Sequence, residues 1–472
     1  MTRKYDIAII GAGSGGLTVA AGAAQLGLET VLFEAGDMGG DCLNVGCVPS
    51  KSLIAAAHAA HIARSSGAFG VTATPEVDFT RTMQHVQEVI ASIAPHDSVE
   101  RFEGMGVHVV RHRARLTGPR TIEANGNHHS ARRIVIATGS RPFIPPVTGL
   151  DSTPYLTNET IWNLSAQPEH LIILGGGNIG VELAQAFRRL GSAVTILERS
   201  KILAKDDPEL VSTVRQVLTD EGVVIREGIS IERVHGQTDS QSASITVELS
   251  DGERITGSHL LVATGRTRNI HDLGLDAAGV RTDAGAIIVD KRLRTSNRRI
   301  YAVGDCRQGP QFTHAAGYDG GIVLRNAVFR LPAKANYDAL PWVTFTDPEL
   351  ANAGMTEAMA RNRDLPRIEI FEADMASNDR AAAERRPLGK IKLVLSKGRI
   401  VGCAIVGAHA GELIHPWSLA ISQGLKPRQM TGYIAPYPTL GEITKAGANK
   451  VFTEKLFSGK VRRLVQLLRH LP

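Results

Sequence analysis

The feature that most restricts how this chain can fold is a pattern that occurs twice. Near the start, the apolar run Tyr5 to Ile10 leads into Gly11-Ala12-Gly13-Ser14-Gly15-Gly16, a stretch reaching about Leu26, then Thr30 to Phe33 and an acid, Glu34. The same order returns as Leu171 to Leu174, Gly175-Gly176-Gly177-Asn178-Ile179-Gly180, a stretch reaching about Leu190, Ala193 to Leu197 and Glu198. Gly11, Gly13 and Gly16, and again Gly175, Gly177 and Gly180, fall at the G-x-G-x-x-G spacing. In a strand–turn–helix unit such glycines allow a tight turn and a close approach of backbone to a pyrophosphate. The pyrophosphate then meets the free N–H groups at the helix start. The acid closing the second strand stands where it can accept hydrogen bonds from a ribose. Each copy predicts a parallel βαβ unit with one nucleotide, and the chain is expected to hold two.

Length and charge narrow the setting. At 472 residues the chain exceeds what one core supports. Residues 7–28 carry no charge and follow Thr2-Arg3-Lys4, a superficial likeness to an export or membrane segment. The glycines within 11–16 weaken that reading, and the segment parses as strand, turn and helix. Only Cys42, Cys47, Cys306 and Cys403 are present, too few for a secreted disulfide scaffold, so a reducing cytoplasm is expected. The net charge of +6 is concentrated locally: residues 450–472 hold six Lys/Arg against one Glu. The near-neutral remainder predicts no nucleic-acid partner.

Residues 39–51 read Gly-Gly-Asp-Cys-Leu-Asn-Val-Gly-Cys-Val-Pro-Ser-Lys. Cys42 and Cys47 can open to a dithiol and close to a disulfide, storing two electrons delivered by a neighbouring cofactor. A fixed disulfide or half a metal site are the alternatives; no metal-ligand set is read elsewhere. The whole string resembles the redox-active motif of the class I pyridine nucleotide-disulfide oxidoreductases, FAD proteins that include lipoamide dehydrogenase, glutathione reductase and mercuric reductase.

That resemblance implies an α/β fold with two Rossmann-like nucleotide-binding domains and an α+β C-terminal dimerisation domain, glutathione-reductase-like. The expected segments are 1–145 (FAD), 146–270 (NAD(P)), 271–340 (FAD again) and 341–472 (interface, with a basic C-terminal helix). It implies FAD at Gly11, Gly13, Gly16, Glu34, Thr138, Gly139, Gly304, Asp305, His314 and Ala315. It implies NAD(P)H at Gly175, Gly177, Gly180, Glu198, Arg199 and Gly265. Glu198 favours NADH, because a carboxylate repels a 2′-phosphate, whereas Arg199 would act oppositely. Cys47 would face the flavin and Cys42 the substrate, and a helix start should lower the pKa of both. Lys51, one turn beyond Cys47, would pair with Glu182.

One departure stands near the C-terminus. Where disulfide reductases of the family carry His-Pro-Thr-x-x-Glu, this chain has Tyr437-Pro438-Thr439-Leu440-Gly441-Glu442. A phenol with pKa about 10 is a poor base at neutral pH. Mercuric reductases resemble the chain here, so the expected acceptor is a soft metal ion. A lipoamide-like or other small-molecule disulfide is the alternative, and a non-catalytic flavoprotein subunit or sensor a third reading. No cysteine pair closes the chain and no metal-binding domain precedes Tyr5, so metal delivery would have to differ. Val461, Leu464, Val465, Leu468 and Leu471 form a helical stripe opposite Lys460, Arg462, Arg463 and Arg469. The pattern favours docking on its own subunit or on the mate of a homodimer over contact with a membrane surface.

Overall fold

The computed structural model describes residues 3–239 and 242–469. By compactness they fall into two units, residues 1–199 with 224–336, and residues 200–223 with 337–472.

The first unit is built on a sheet whose strands run, in spatial order, Val107–Val110, Thr30–Phe33, Arg3–Ile10, Asn127–Ile136, Thr121–Ala124 and Ala114–Gly118. Ile300–Ala302 joins it in parallel beside Asn127–Ile136. Ile7, Ala8, Ile9 and Ile10 are all buried, as are all four residues of Thr30–Phe33. Such continuous burial marks strands covered on both faces, which is why their sequences do not alternate. The helices Ser14–Gln25 and Thr313–Ala327 share one face, and small residues let them approach: a Cβ on Gly22 would lie 2.4 Å from Leu324. The first half of Asn127–Ile136 runs antiparallel to Thr121–Ala124, and its apolar end, Ile134 to Ile136, lies in the parallel part of the sheet.

The second βαβ copy forms a parallel sheet of Val224–Glu227, Ala193–Glu198, His170–Leu174 and His259–Val262. A three-stranded antiparallel sheet accompanies it (Ile231–Asp239, Ser242–Leu249, Arg254–Gly257).

The second unit carries a five-stranded antiparallel sheet in the order Pro341–Thr344, Glu349–Gly354, Arg399–Gly407, Lys390–Ser396, Ile368–Asp374. Ile391, Leu393 and Leu395 join the core around the fully buried Trp417. Lys392 points the other way, to Asp207 at 2.9 Å and Glu357 at 3.0 Å. Burial opposes its charge, but the two carboxylates outweigh that and raise its pKa. Two short helices follow, Ala410–Leu413 and His415–Ser422. Pro416, lacking an N–H, is tolerated only in the first turn of a new helix.

The Gly459–Leu468 helix is capped by Ser458. No residue of it is buried. Leu471, the last residue of the stripe, lies outside the described residues. No described helix is long and apolar enough to cross a membrane.

Candidate active site

The two glycine turns have the same construction. A Cβ on Gly11 would lie 2.3 Å from the carbonyl oxygen of Ala137, and one on Gly16 1.9 Å from that of Gly11. In the second copy the distances are 2.4 Å for Gly175 against Ala263 and 2.0 Å for Gly180 against Gly175. These four glycines are demanded by the protein's own backbone. Gly13 and Gly177 are different: a Cβ there would meet nothing within 4 Å. Each is the uncapped N-cap of the following helix, Ser14–Gln25 or Asn178–Leu190, so a side chain would fill the space that a pyrophosphate needs. Glu34 accepts from the N–H groups of Ala12 (2.6 Å) and Gly36 (2.7 Å), and Glu198 from that of Gly176 (2.7 Å). Both carboxylates stand at their turns, and Arg199 follows Glu198 at the strand end. Asn178 opens its helix and puts no aromatic ring at this turn.

The cysteine segment is fastened to the first turn. Gly39 and Gly40 have φ of +89° and +59°, and a Cβ on Gly40 would lie 2.7 Å from Gly13. Cys42 then sits in the short helix Gly40–Asn44, and Cys47 opens the helix Cys47–Ser65. Between them the carbonyl of Val45 accepts from Trp162 Nε1 at 3.1 Å and from Asn158 at 3.3 Å. Both cysteines are thiols within hydrogen-bonding reach of one another. Cys47 also lies 3.6 Å from the Thr313 hydroxyl. One turn on, Lys51 Nζ meets Glu182 Oε2 at 2.7 Å, with Glu182 buried on the Asn178–Leu190 helix.

The electrostatics correct one expectation. A helix start was to acidify both thiols, yet they move apart. Hydrogen bonding from Cys42, aided by Thr313 and Lys51 and opposed by desolvation, lowers Cys47 to about 6. Desolvation is the second-largest effect there, and the Cys42 hydrogen bond outweighs it. The same bond to Cys47, with burial, raises Cys42. One proton is thus kept on Cys42 and donated to a Cys47 thiolate. In the reduced protein, one thiolate absorbance per chain should titrate with a midpoint near 6, ionised above and protonated below. The midpoint should rise in Cys42→Ala and the signal vanish in Cys47→Ser. A wild-type midpoint in the ordinary thiol range of about 8.5 would contradict the assignment.

Arg266, Asp41, Ser140, Arg307 and Asp319 were not singled out from the sequence, and they surround cofactor residues that were. Arg266 donates from Nε to Ser140 Oγ at 2.6 Å and pairs with Asp41, the residue before Cys42. Ser140 Oγ in turn donates to Asp305 at 2.7 Å. Burial raises the Asp305 pKa, with Ser140 and Arg266 opposing. Gly304 donates its N–H to Asp319 at 3.0 Å, and Asp319 is bonded by Arg307 at 2.5 Å. Gly139 and Gly265 both have positive φ (+66° and +139°), and Thr138 bonds the carbonyl of Asn269 at 2.6 Å. His314 stacks on Phe312 within the first turn of the Thr313–Ala327 helix, followed by buried Ala315.

In the second unit, Tyr437 is 71% exposed and its hydroxyl donates to Asp379 at 2.9 Å. That bond raises the phenol pKa further. Glu442 accepts from the Thr439 N–H at 3.3 Å. Asp379, Tyr437, Glu442 and Lys445 line one polar recess.

Sequence comparison bears on the same residues. The family model for pyridine nucleotide-disulphide oxidoreductases matches residues 5–320, and that for the family's dimerisation domain matches residues 340–447. Mercuric reductase of Lysinibacillus sphaericus is 35% identical, over 94% of this chain and 82% of its own length. Dihydrolipoyl dehydrogenase of Thermus scotoductus is 34% identical, over 93% of this chain and 96% of its own. Among solved structures, the Cu(II) complex of the HOCl-induced flavoprotein disulfide reductase RclA from Escherichia coli superposes with a TM-score of 0.85 at 27% identity, covering 95% of this chain and 99% of that one. LpdA from Mycobacterium tuberculosis gives 0.86 at 25% identity, with 96% and 100% covered.

The chain belongs to the pyridine nucleotide-disulfide oxidoreductase family. It is an FAD-dependent oxidoreductase that uses NAD(P)H, with the glutathione-reductase-like architecture and the family's dimerisation domain.

Proposed function

We propose that the Cys42–Cys47 pair is the exit for electrons entering from NAD(P)H, and that the acceptor is a soft metal ion or a thiol-bound metal. FAD, when bound, supplies the relay between a hydride donor and sulfur that no side chain provides. The chain's own groups do the rest. Reduction of the pair breaks the S–S bond, takes up two electrons, and leaves a Cys47 thiolate beside a protonated Cys42. Lys51, Thr313 and the Cys42 thiol stabilise that negative sulfur. Two sulfurs side by side suit a soft cation. Giving two electrons to a divalent ion re-forms the S–S bond, yields the zero-valent metal and releases the remaining proton.

The observation that carries this choice of acceptor is the Tyr437–Asp379 hydrogen bond. Thiol–disulfide exchange needs Cys42 deprotonated for attack, and Cys42 is the thiol whose pKa is raised. A phenol already donating to a carboxylate, with its own pKa raised, is no base for that proton. A metal bound by sulfur displaces the proton itself. The Lys51–Glu182 pair and the Cys47 thiolate have no use in a passive sensor, which argues against a non-catalytic role. Glu198 and its turn support NADH over NADPH.

Steady-state reduction of Hg(II), Cu(II), lipoamide and glutathione disulfide, each with NADH and with NADPH, tests the proposal. The metal ions should be turned over and the disulfides poorly, with Tyr437→His improving disulfide turnover by about a hundredfold, the low end of a general-base contribution. High wild-type disulfide turnover, unchanged in Tyr437→His, would remove the argument for a metal acceptor.

A further inference from the structure

The function above makes no use of the Gly459–Leu468 helix. Its Leu464, Val465, Leu467 and Leu468 are 52%, 57%, 70% and 49% exposed, and Leu456 and Phe457 just before it are exposed as well. Val461, Leu464, Val465 and Leu468 share one helical face, while Lys460, Arg462, Arg463 and Arg469 supply the charge. No acid lies between 456 and 469. A ten-residue helix is marginal in water unless its apolar face is covered. Its own chain does not cover it. The stretch matched by the family's dimerisation model ends at residue 447, before this helix begins.

We infer that this helix lies on an anionic lipid surface. Such a surface receives both halves of the pattern, taking the apolar face at the headgroup–acyl boundary and offering phosphates to the cations. A second copy of the helix would cover the apolar face but leave the cations unmatched. The rest of the chain, residues 1–449, has a net charge near zero, so a twin offers no excess of acid to meet the cluster. The helix is far shorter than the about 20 residues a membrane span needs, so it rests on the surface.

The test is co-sedimentation of the FAD-loaded full chain with vesicles of phosphatidylcholine alone and of phosphatidylcholine mixed with phosphatidylglycerol, at low and at high salt. Binding is expected to the mixed vesicles at low salt, weakened by salt. Arg462→Glu with Arg463→Glu should reduce it about tenfold or more. Leu464→Gln with Leu468→Gln should reduce it comparably, and both double variants should keep the wild-type oligomeric mass and flavin content. Three results would overturn the inference: no binding of wild type, equal binding to both vesicle types, or anionic binding that survives either pair of substitutions. Dissociation of the oligomer by the leucine substitutions would assign the face to a second copy instead.

Discussion

Serine at position 47 is expected to lower NADH-driven reduction of every acceptor that uses the sulfurs by about a thousandfold or more, because the residue is one half of an obligate pair. A hydroxyl cannot form a bond to Cys42 that reopens on reduction, so the two-electron store is lost. The loss should not be a folding defect. Serine can still bond Thr313, which approaches the Cys47 sulfur at 3.6 Å, and the helix from 47 to 65 keeps its remaining contacts. Flavin content should match wild type, and reduction of an artificial dye that bypasses the sulfurs should continue. Serine at 42 should give the same loss. If either variant kept wild-type turnover of Hg(II) or lipoamide, electrons would be leaving the protein by another route.

The second large effect falls on stability. Arg307 is 2% exposed and Asp319 0%, and the pair meets at 2.5 Å directly behind the Gly304–Asp305 turn. Arg307→Met should destabilise the protein by about 3–5 kcal/mol, because Asp319 is left as a buried charge without its guanidinium partner. Asp319 also holds the N–H of Gly304, so the turn that presents Asp305 should loosen and flavin be lost at lower denaturant. Denaturation followed by tryptophan fluorescence, with flavin release recorded in parallel, measures both. Replacing both partners by apolar residues should restore part of the stability but not the flavin affinity, since the Gly304 N–H would then lose its acceptor. A single variant as stable as wild type would show that the pair contributes little.

The parts of this molecule that announced themselves in sequence are those whose chemistry is local. The glycine turns need three glycines within six residues, and the thiols lie within one short run with Lys51 a turn away. Glu182 was legible because the second turn numbers it. What escaped depends on long-range contact. Arg266 and Asp41 are separated by 225 residues, and Asp379 and Tyr437 by 58. Nothing near Asp379 or Asp41 distinguishes either from a solvated acid. The split of the two thiol pKa values escaped for a related reason. Helix position acts on each sulfur separately, whereas the shared proton belongs to the pair. The helix Pro208–Asp220 groups with the second unit, its Glu209 pairing with Lys390, and no local pattern marks that.

Anaerobic titration of the FAD-loaded protein with NADH, with free thiols counted at each point, reaches the central claim most directly. Wild type should take up two electrons beyond those held by the flavin and gain two thiols per chain, whereas Cys47→Ser should stop when the flavin is reduced. Bleaching of the flavin with no new thiols in wild type would contradict the account.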